Sequence, residues 1–272
     1  MQQQEVGFTT SSPLSRLSSV ENSVRVLTAF TDQDAELSIA ELTRRLRMPK
    51  STVHRLAATL ANIHMLEQNP DNAKYRLGIL VFELGALARR KMDFAAIAKP
   101  FLMKLREETD ESVHLAILDH LNVITVNSLE SKQSIRMSLT IGMRKPSHAT
   151  AAGKMLLAFR PQETVAQLFA TNPAKKTPNT ITDPVAFARE LAAIRSCGYA
   201  VSDMENELGV RSLAAPVRDQ YGHVLAAVSI VGPAHRLSKK VLAGFSANVV
   251  QAGDDISSCL GYRLARPGRY RC

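Results

Sequence analysis

Two runs of apolar residues recur at helical spacing on either side of Pro49, within Ile39–Leu46 and Val53–Leu60. Ser38 and Glu41 have the spacing of a capping box, which marks the start of the first helix. Pro49 ends this helix and suits the first turn of the next, because its backbone φ is already near the helical value. The pattern predicts two short helices joined by a tight turn.

The polar side of this unit carries residue types suited to reading DNA. Short polar and basic side chains lie outside the apolar stripe of the second helix, and major-groove readers contact bases from the helix N-terminus. An ordinary helical hairpin with a solvated basic face is the alternative. The predicted DNA-contacting residues are Arg44, Lys50, Ser51, Thr52, His54 and Arg55.

A short hairpin is predicted immediately after these helices. Met65-Leu66 and Tyr75–Leu77 have strand character, and the Asn69–Lys74 segment between them is rich in turn residues. Two helices followed by such a hairpin are typical of a winged helix-turn-helix. We expect Lys74 and Arg76 on the wing to contact the DNA backbone.

The pattern in the rest of the chain predicts an α+β fold. Helical spacing recurs at residues 19–30, 78–91, 94–109, 151–159, 184–197 and 238–260. Strand-like alternation occupies residues 112–118, 123–129, 134–139, 199–202, 210–217 and 224–231. Pro100 is expected at a bend or at a helix start. Strands with helices between and after them indicate one antiparallel sheet covered by helices.

Composition narrows the class of protein only modestly. The net charge of +9 favours a polyanionic partner, although the basic residues are spread along the chain. No apolar run is long enough to cross a membrane, so we expect a cytoplasmic protein with no membrane partner. Three scattered cysteines argue against a zinc site, and no metal or cofactor is expected.

The segment Met48–Leu56, with Tyr75–Gly78 further on, resembles the DNA-binding domain of the IclR family of bacterial transcriptional regulators. Other segments resemble landmarks of that family in the same order, and the resemblance extends from about Leu17 to Gly261. They are His148–Lys154, Thr180-Ile181, Gly198-Tyr199, Glu205 with Gly209–Ser212, Ala215–Asp219 and Val228–Pro233.

The resemblance implies the organisation of the whole chain. It predicts an N-terminal winged helix-turn-helix and a C-terminal GAF-like or profilin-like effector domain built on an antiparallel sheet. The expected regions are a disordered tail at 1–18, the DNA-binding domain at 19–77, a linker helix at 78–93, the effector domain at 94–262 and a basic tail at 263–272. The linker helix is also expected to contact a second subunit.

Three places supply polar groups to a pocket in such an effector domain. Small residues at 147–153 lead into a helix N-terminus, which favours an anion. A polar turn follows at 202–205, and Ser212 and Ser229 are expected to face each other on neighbouring strands. By resemblance these places line the effector site together with apolar groups. The predicted effector-binding residues are Met137, Leu139, Ala149, Thr150, Ala151, Ser202, Asp203, Ser212 and Ser229.

Each of these residues has an ordinary structural alternative, such as a helix start, a sheet hydrogen bond or a solvated turn. The chain also departs from the resembled pattern, with Ser212 where cysteine is frequent, Ser202 where an acidic residue often stands, and Val231 in place of a second polar group. These departures indicate a less polar pocket. They favour an aromatic or larger organic acid over a very small keto acid.

The sequence therefore predicts a transcriptional regulator, repressor or activator, whose operator binding is modulated by a small organic acid. A dimer on a palindromic operator is expected, because one monomer reads few base pairs. The resemblance implies in addition that effector domains pair such dimers into a dimer of dimers. A C-terminal domain that only dimerises is the main alternative. An enzyme using Ser212, His148 and Asp203 is disfavoured, because no nucleotide-binding, zinc-protease or nucleophile-elbow motif is present.

Overall fold

The structure is a computed structural model that describes residues 18–31, 33–90, 93–138 and 140–263, and it divides into two compact units at residues 91–92. Apart from Ser18 and Arg263, the predicted N-terminal tail and basic C-terminal tail lie outside the described residues, and so does Leu139.

The first unit contains the predicted helix-turn-helix followed by a hairpin. Its elements are α1 (Ser18–Leu27), α2 (Ile39–Leu46), α3 (Lys50–Asn62), β1 (Leu66–Gln68), β2 (Tyr75–Leu77) and α4 (Ile79–Arg90). The capping box is formed: the Ser38 hydroxyl accepts from the Glu41 amide at 3.2 Å, and the Glu41 carboxylate accepts from the Ser38 amide at 2.7 Å. Arg47 adopts a left-handed φ of 52° and ends α2, which lets the chain turn into α3.

A small core holds the first unit together. Val26 of α1, Leu42 of α2, and Val53 and Leu60 of α3 are buried with Tyr75 of the wing. The predicted apolar stripes therefore face one another. Their burial fixes the polar side of α3 toward solvent.

The second unit is an antiparallel sheet with helices on both faces. Its strands are β3 (Ser112–Asp119), β4 (Asn122–Leu129), β5 (Arg144–Pro146), β6 (Ala200–Asp203), β7 (Val210–Arg218) and β8 (Val224–Pro233), in the order β5-β4-β3-β8-β7-β6. Its helices are α5 (Asp93–Thr109), α6 (Ala151–Ala158), α7 (Gln162–Ala170), α8 (Pro184–Cys197) and α9 (Lys239–Cys259). The α+β prediction is confirmed.

The two faces of this sheet have separate cores. On one face, Leu105 of α5 and Ile256 of α9 pack with Leu115 and Ile230 of the sheet. On the other face, α6 packs against the sheet and α8 packs against α6, in a core that includes Ala116, Ala214 and Ala227 of the sheet. Small residues on this second face let α6 approach the sheet closely, and the candidate site lies beside that approach.

Two predictions within this unit are wrong. Residues 134 and 135 lie in a bend and residues 136–138 are irregular, so no strand forms there, because Arg136 and Ser138 bind the Glu130 carboxylate locally. The edge strand is β5 instead. Pro100 lies inside α5, where Ala98 and Leu102, two residues away on either side, are fully buried. Tertiary packing therefore outweighs the loss of one helical hydrogen bond at the proline.

Candidate functional site

The polar face of α3 is open to contact with a partner. Arg44, Lys50, Ser51, His54 and Arg55 are exposed, and Thr52 is half-buried. Within the part of the chain that the structure describes, no carboxylate lies within 4.0 Å of the Arg44, Lys50 or Arg55 side chain. Their positive charges are therefore available for a polyanion.

The two predicted wing cations are already paired inside their own unit. The Lys74 ammonium lies 3.5 Å from a Glu41 carboxylate oxygen. Arg76 lies 2.9 Å from Glu67 and 3.9 Å from Glu36, and its hydrogen bond holds the pKa of Glu67 below its usual value. The wing therefore carries less unmatched positive charge than the sequence suggests.

A cavity of about 50 Å³ lies between the sheet and the start of α6. Its lining includes the predicted residues Ala149, Thr150, Ala151, Ser202, Ser212 and Ser229. A single water needs about 10–15 Å³ by this measure, so the cavity takes a small molecule and a larger one requires side chains to move.

Two predicted effector residues do not line this cavity. The Met137 carbonyl accepts a hydrogen bond from the Ser112 hydroxyl at 2.6 Å. The Asp203 carboxylate accepts from Arg211 at 2.6 Å and lies 3.0 Å from the Lys239 ammonium. The hydrogen bond from Arg211 is the main reason that the pKa of Asp203 is lowered. Leu139 lies outside the described residues.

The segment before α6 is packed so that the helix start borders the cavity. The Thr150 hydroxyl caps α6 by accepting from the Gly153 amide at 3.2 Å, and the Ser202 hydroxyl donates to the Ala149 carbonyl at 2.9 Å. A Cβ at Gly153 would collide with the backbone of Ser147, so only glycine fits there. The positive end of the helix dipole thus points toward the cavity, where it favours an anion.

Sequence reasoning missed several polar residues that line the cavity. They are His114, Thr125, Lys145, Asn206 and Glu207. The sequence does show alternating polar and apolar residues in β3 and basic residues without acidic neighbours around Lys145. Only the sheet register, however, shows which of their side chains reach this cavity.

Burial controls the charge state of two of these residues. Desolvation, with Lys145 nearby, lowers the pKa of His114 to about 3, so its imidazole is neutral at neutral pH. Burial also lowers the pKa of Lys145, while the Glu207 carboxylate acts in the opposite direction. The cavity therefore presents a neutral imidazole close to a half-buried ammonium.

Ser212 and Ser229 lie on one face of neighbouring strands, but they are not directly opposite each other, contrary to the prediction. Ser212 pairs with Val231, and Ser229 pairs with Ala214 on β7 and with His114 on β3. The prediction lacked the strand register. The structure places His114, not Ser212, beside Ser229.

Lys154 of α6 is buried and holds the loop that follows β6. Its side chain is 1% exposed, and its ammonium donates to Glu190 and Glu205 at 2.7 Å each. Thr180 donates to the Glu205 carbonyl at 2.6 Å. Burial raises the pKa of Glu205, and Lys154 opposes this shift. This network fixes the backbone that presents Asn206 and Glu207 to the cavity.

Two residues of the enzyme alternative, His148 and Asp203, have other partners. His148 Nε2 donates to the Ala174 carbonyl at 3.0 Å, and the Asp203 carboxylate is held by Arg211. Among the described residues, no cluster of three or more His, Cys, Asp or Glu side chains has a geometry that could hold a metal ion. No helix in this described part of the chain has the length and apolarity needed to span a membrane.

Comparison with known proteins agrees with both parts of this description. Residues 19–70 match the IclR helix-turn-helix domain, and residues 86–258 match the C-terminal domain of the bacterial transcriptional regulator IclR. The chain is 36% identical over 247 residues to the HTH-type transcriptional regulator XynR of Escherichia coli. That alignment covers 90% of this chain and 98% of XynR. It is 30% identical over 249 residues to the transcriptional repressor IclR of Escherichia coli, covering 90% and 91% of the two chains.

A solved structure extends the likeness to a liganded protein. The crystal structure of an IclR homologue from Microbacterium hydrocarbonoxydans, complexed with 4-hydroxybenzoate, has a TM-score of 0.79 at 27% identity. The match covers 89% of this chain and 98% of that one.

The chain belongs to the IclR family of bacterial transcriptional regulators. It is a DNA-binding regulator with an N-terminal helix-turn-helix and a C-terminal effector-binding domain, as the sequence predicted. Its relatives are transcriptional regulators, which are not enzymes.

Proposed function

We propose that this regulator acts in the cytoplasm and binds a palindromic operator with an affinity set by a small organic acid in the cavity beside α6. The observation that carries the proposal is the cavity itself, because both the N-terminus of α6 and the half-buried Lys145 border it. Both features favour a carboxylate. The bound 4-hydroxybenzoate of the structural relative supports an aromatic acid as one candidate.

DNA reading is proposed for the exposed face of α3. Lys50, Ser51, Thr52, His54 and Arg55 would enter the major groove, with Arg44 at the adjoining edge of α2. Lys74 and Arg76 on the wing would approach phosphates after exchanging their intramolecular carboxylate partners. This exchange makes the wing a weaker contributor than the unpaired cations of α3.

A homodimer is proposed from the apolar surface of the first unit. On α4, Ile79, Phe82, Leu84 and Leu87 are exposed large apolar residues, and Val20 is exposed on α1. Contiguous exposed apolar surface marks interaction sites. Two copies joined through α4, as the linker helix, would present two reading helices to the halves of a palindrome, and effector domains would pair such dimers.

The acid would act by population shift. It can change operator affinity only by binding one arrangement of the dimer more tightly than the other. A C-terminal domain that serves only for dimerisation predicts no such linkage. Ligand-dependent thermal stabilisation separates the two functions, because only a binding site raises the melting temperature as the acid concentration increases.

The test is fluorescence anisotropy with labelled DNA from upstream of the regulator's own gene, titrated with and without a panel of organic acids. Specific, salt-sensitive binding that shifts with one acid is the expected result. Failure of a genome-wide selection to recover any specific fragment would refute the DNA-reading function. Specific binding that responds to no acid would refute the sensor function alone.

The Arg55→Ala variant should weaken operator binding by at least about tenfold, because a side chain contacting a base or phosphate is lost. Acid binding should be unchanged. Arg160→Ala is the matched control, since it removes the same charge at an exposed position in the second unit. Equal losses in the two variants would show that net charge, and not the α3 contact, determines the affinity.

A further inference from the structure

Two buried polar atoms on the sheet face of the cavity have no hydrogen-bond partner among the described residues. They are His114 Nδ1 and Ser229 Oγ, on side chains that are 6% and 1% exposed. The two residues are direct cross-strand partners on β3 and β8, and both line the cavity. Buried polar groups are almost always hydrogen-bonded, so an adjacent unsatisfied pair indicates a position for a polar ligand group.

The same cavity contains an unpaired positive charge. Lys145 is half-buried, and no carboxylate in the described ranges lies within 4.0 Å of its ammonium. Glu207, whose negative charge opposes the lowering of the Lys145 pKa, is exposed at the rim of the cavity. Partial burial strengthens an ion pair with a ligand, because water screens the charges less.

The two features require different chemistry from the ligand. A neutral imidazole and a hydroxyl together offer both donors and acceptors, which match a group that donates and accepts, as a hydroxyl does. A carbonyl oxygen only accepts, and an ionised carboxylate also only accepts. The ammonium of Lys145 and the N-terminus of α6 match the carboxylate.

We propose that the cavity selects a carboxylic acid that also carries a hydroxyl group, with Lys145 pairing the carboxylate and the Ser229–His114 pair hydrogen-bonding the hydroxyl. This assignment rests on the proposed sensor function and specifies its ligand class. Lys145, His114 and Ser229 are then the residues that determine specificity.

Calorimetry on the full-length protein with two matched pairs of acids tests this assignment. The pairs are 4-hydroxybenzoate with benzoate, and lactate with propionate. The hydroxylated member of at least one pair should bind about tenfold more tightly or better, because its absence leaves buried polar groups unpaired. Equal affinities within both pairs would overturn the assignment.

Two variants separate the roles within the cavity. Ser229→Ala should weaken only the hydroxylated acid and so abolish the preference. Lys145→Gln should weaken both members of a pair by a similar factor, roughly tenfold or more. Arg144→Gln is the control for Lys145, because Arg144 is the adjacent residue, is exposed and pairs with Asp119 outside the cavity lining. Equal weakening of both acids by Ser229→Ala would contradict the hydroxyl contact.

A stability measurement distinguishes ligand recognition from a structural role for Ser229. Its hydroxyl has no partner within the described structure, so Ser229→Ala should leave the melting temperature of the ligand-free protein unchanged or raise it. A marked fall would overturn the assignment. Absence of binding by all four acids would also overturn the assignment. The operator titration with a broader panel of acids tests the proposed sensor function independently.

Discussion

Replacing Lys154 by methionine should remove a charge on which the second unit depends. Methionine keeps the apolar stem, so little packing is lost, but Glu205 remains buried without its counter-charge. The other partner, Glu190, is 31% exposed and can be solvated. The loss of stability should therefore come almost entirely from Glu205.

The size of this stability loss is limited by protonation of Glu205. Breaking a buried ion pair costs about 3–5 kcal/mol. A buried carboxylate can instead take up a proton, and from an ordinary pKa of about 4.3 this costs about 3.7 kcal/mol at pH 7. Protonation sets the upper limit, and the wild type already bears part of this cost, because burial raises the pKa of Glu205 even beside Lys154. The expected loss in the free energy of unfolding is therefore about 2–3 kcal/mol at pH 7.

The pH dependence has a definite sign. Burial already raises the pKa of Glu205, and removal of Lys154 removes the main opposing effect. A raised folded-state pKa means that the folded variant binds more protons than its unfolded chain between pH 4.3 and that pKa. Stability should therefore rise as the pH falls, by up to about 1.36 kcal/mol per unit. At pH 5 the deficit should shrink to about 1 kcal/mol.

The assay is urea unfolding of the full chain followed by circular dichroism, with the transition of the second unit compared at pH 5 and pH 7. Lys154→Met combined with Glu205→Gln should recover most of the loss, because no buried charge is left. Lys104→Met, at an exposed lysine, should change little. A Lys154→Met loss under about 1 kcal/mol at pH 7, or one independent of pH, would refute the reasoning.

Two further predictions concern the proposed dimer and the start of α6. Phe82→Ser should raise the dimer dissociation constant, measured by sedimentation, by roughly tenfold or more, because Phe82 is 72% exposed in the single chain and would be buried in the dimer. The control is Tyr221→Ser, at an exposed position of the second unit, which should leave the dissociation constant unchanged. Gly153→Ala should lower the stability by about 1–3 kcal/mol or more in thermal unfolding and weaken acid binding, because its Cβ would strike the Ser147 backbone. Gly244→Ala, in an open helical position, should be neutral or stabilising. An unchanged melting temperature for Gly153→Ala would contradict the steric argument.

The sequence by itself determined the parts that rest on local interactions. The helix-turn-helix follows from apolar spacing, the Ser38–Glu41 capping box and Pro49, all within a few residues of one another. The alternation of β7 and β8 likewise predicted strands, because side chains on a half-buried strand follow a two-residue period. The segment before α6 was identified from its small residues, which permit close packing against Ser202.

Only the tertiary structure decided which side chains meet. A two-residue period does not specify the register, so His114 became the partner of Ser229 only when β3 and β8 were paired. Lys154 is separated in sequence by 36 residues from Glu190 and by 51 from Glu205, and local patterns carry no information about such contacts. Asp203 has the chemistry of a ligand-binding residue, yet the fold places Arg211 against it, and the charged residues that line the cavity are Lys145 and Glu207. Periodicity encodes the elements, whereas long-range packing of those elements determines the chemistry of the cavity.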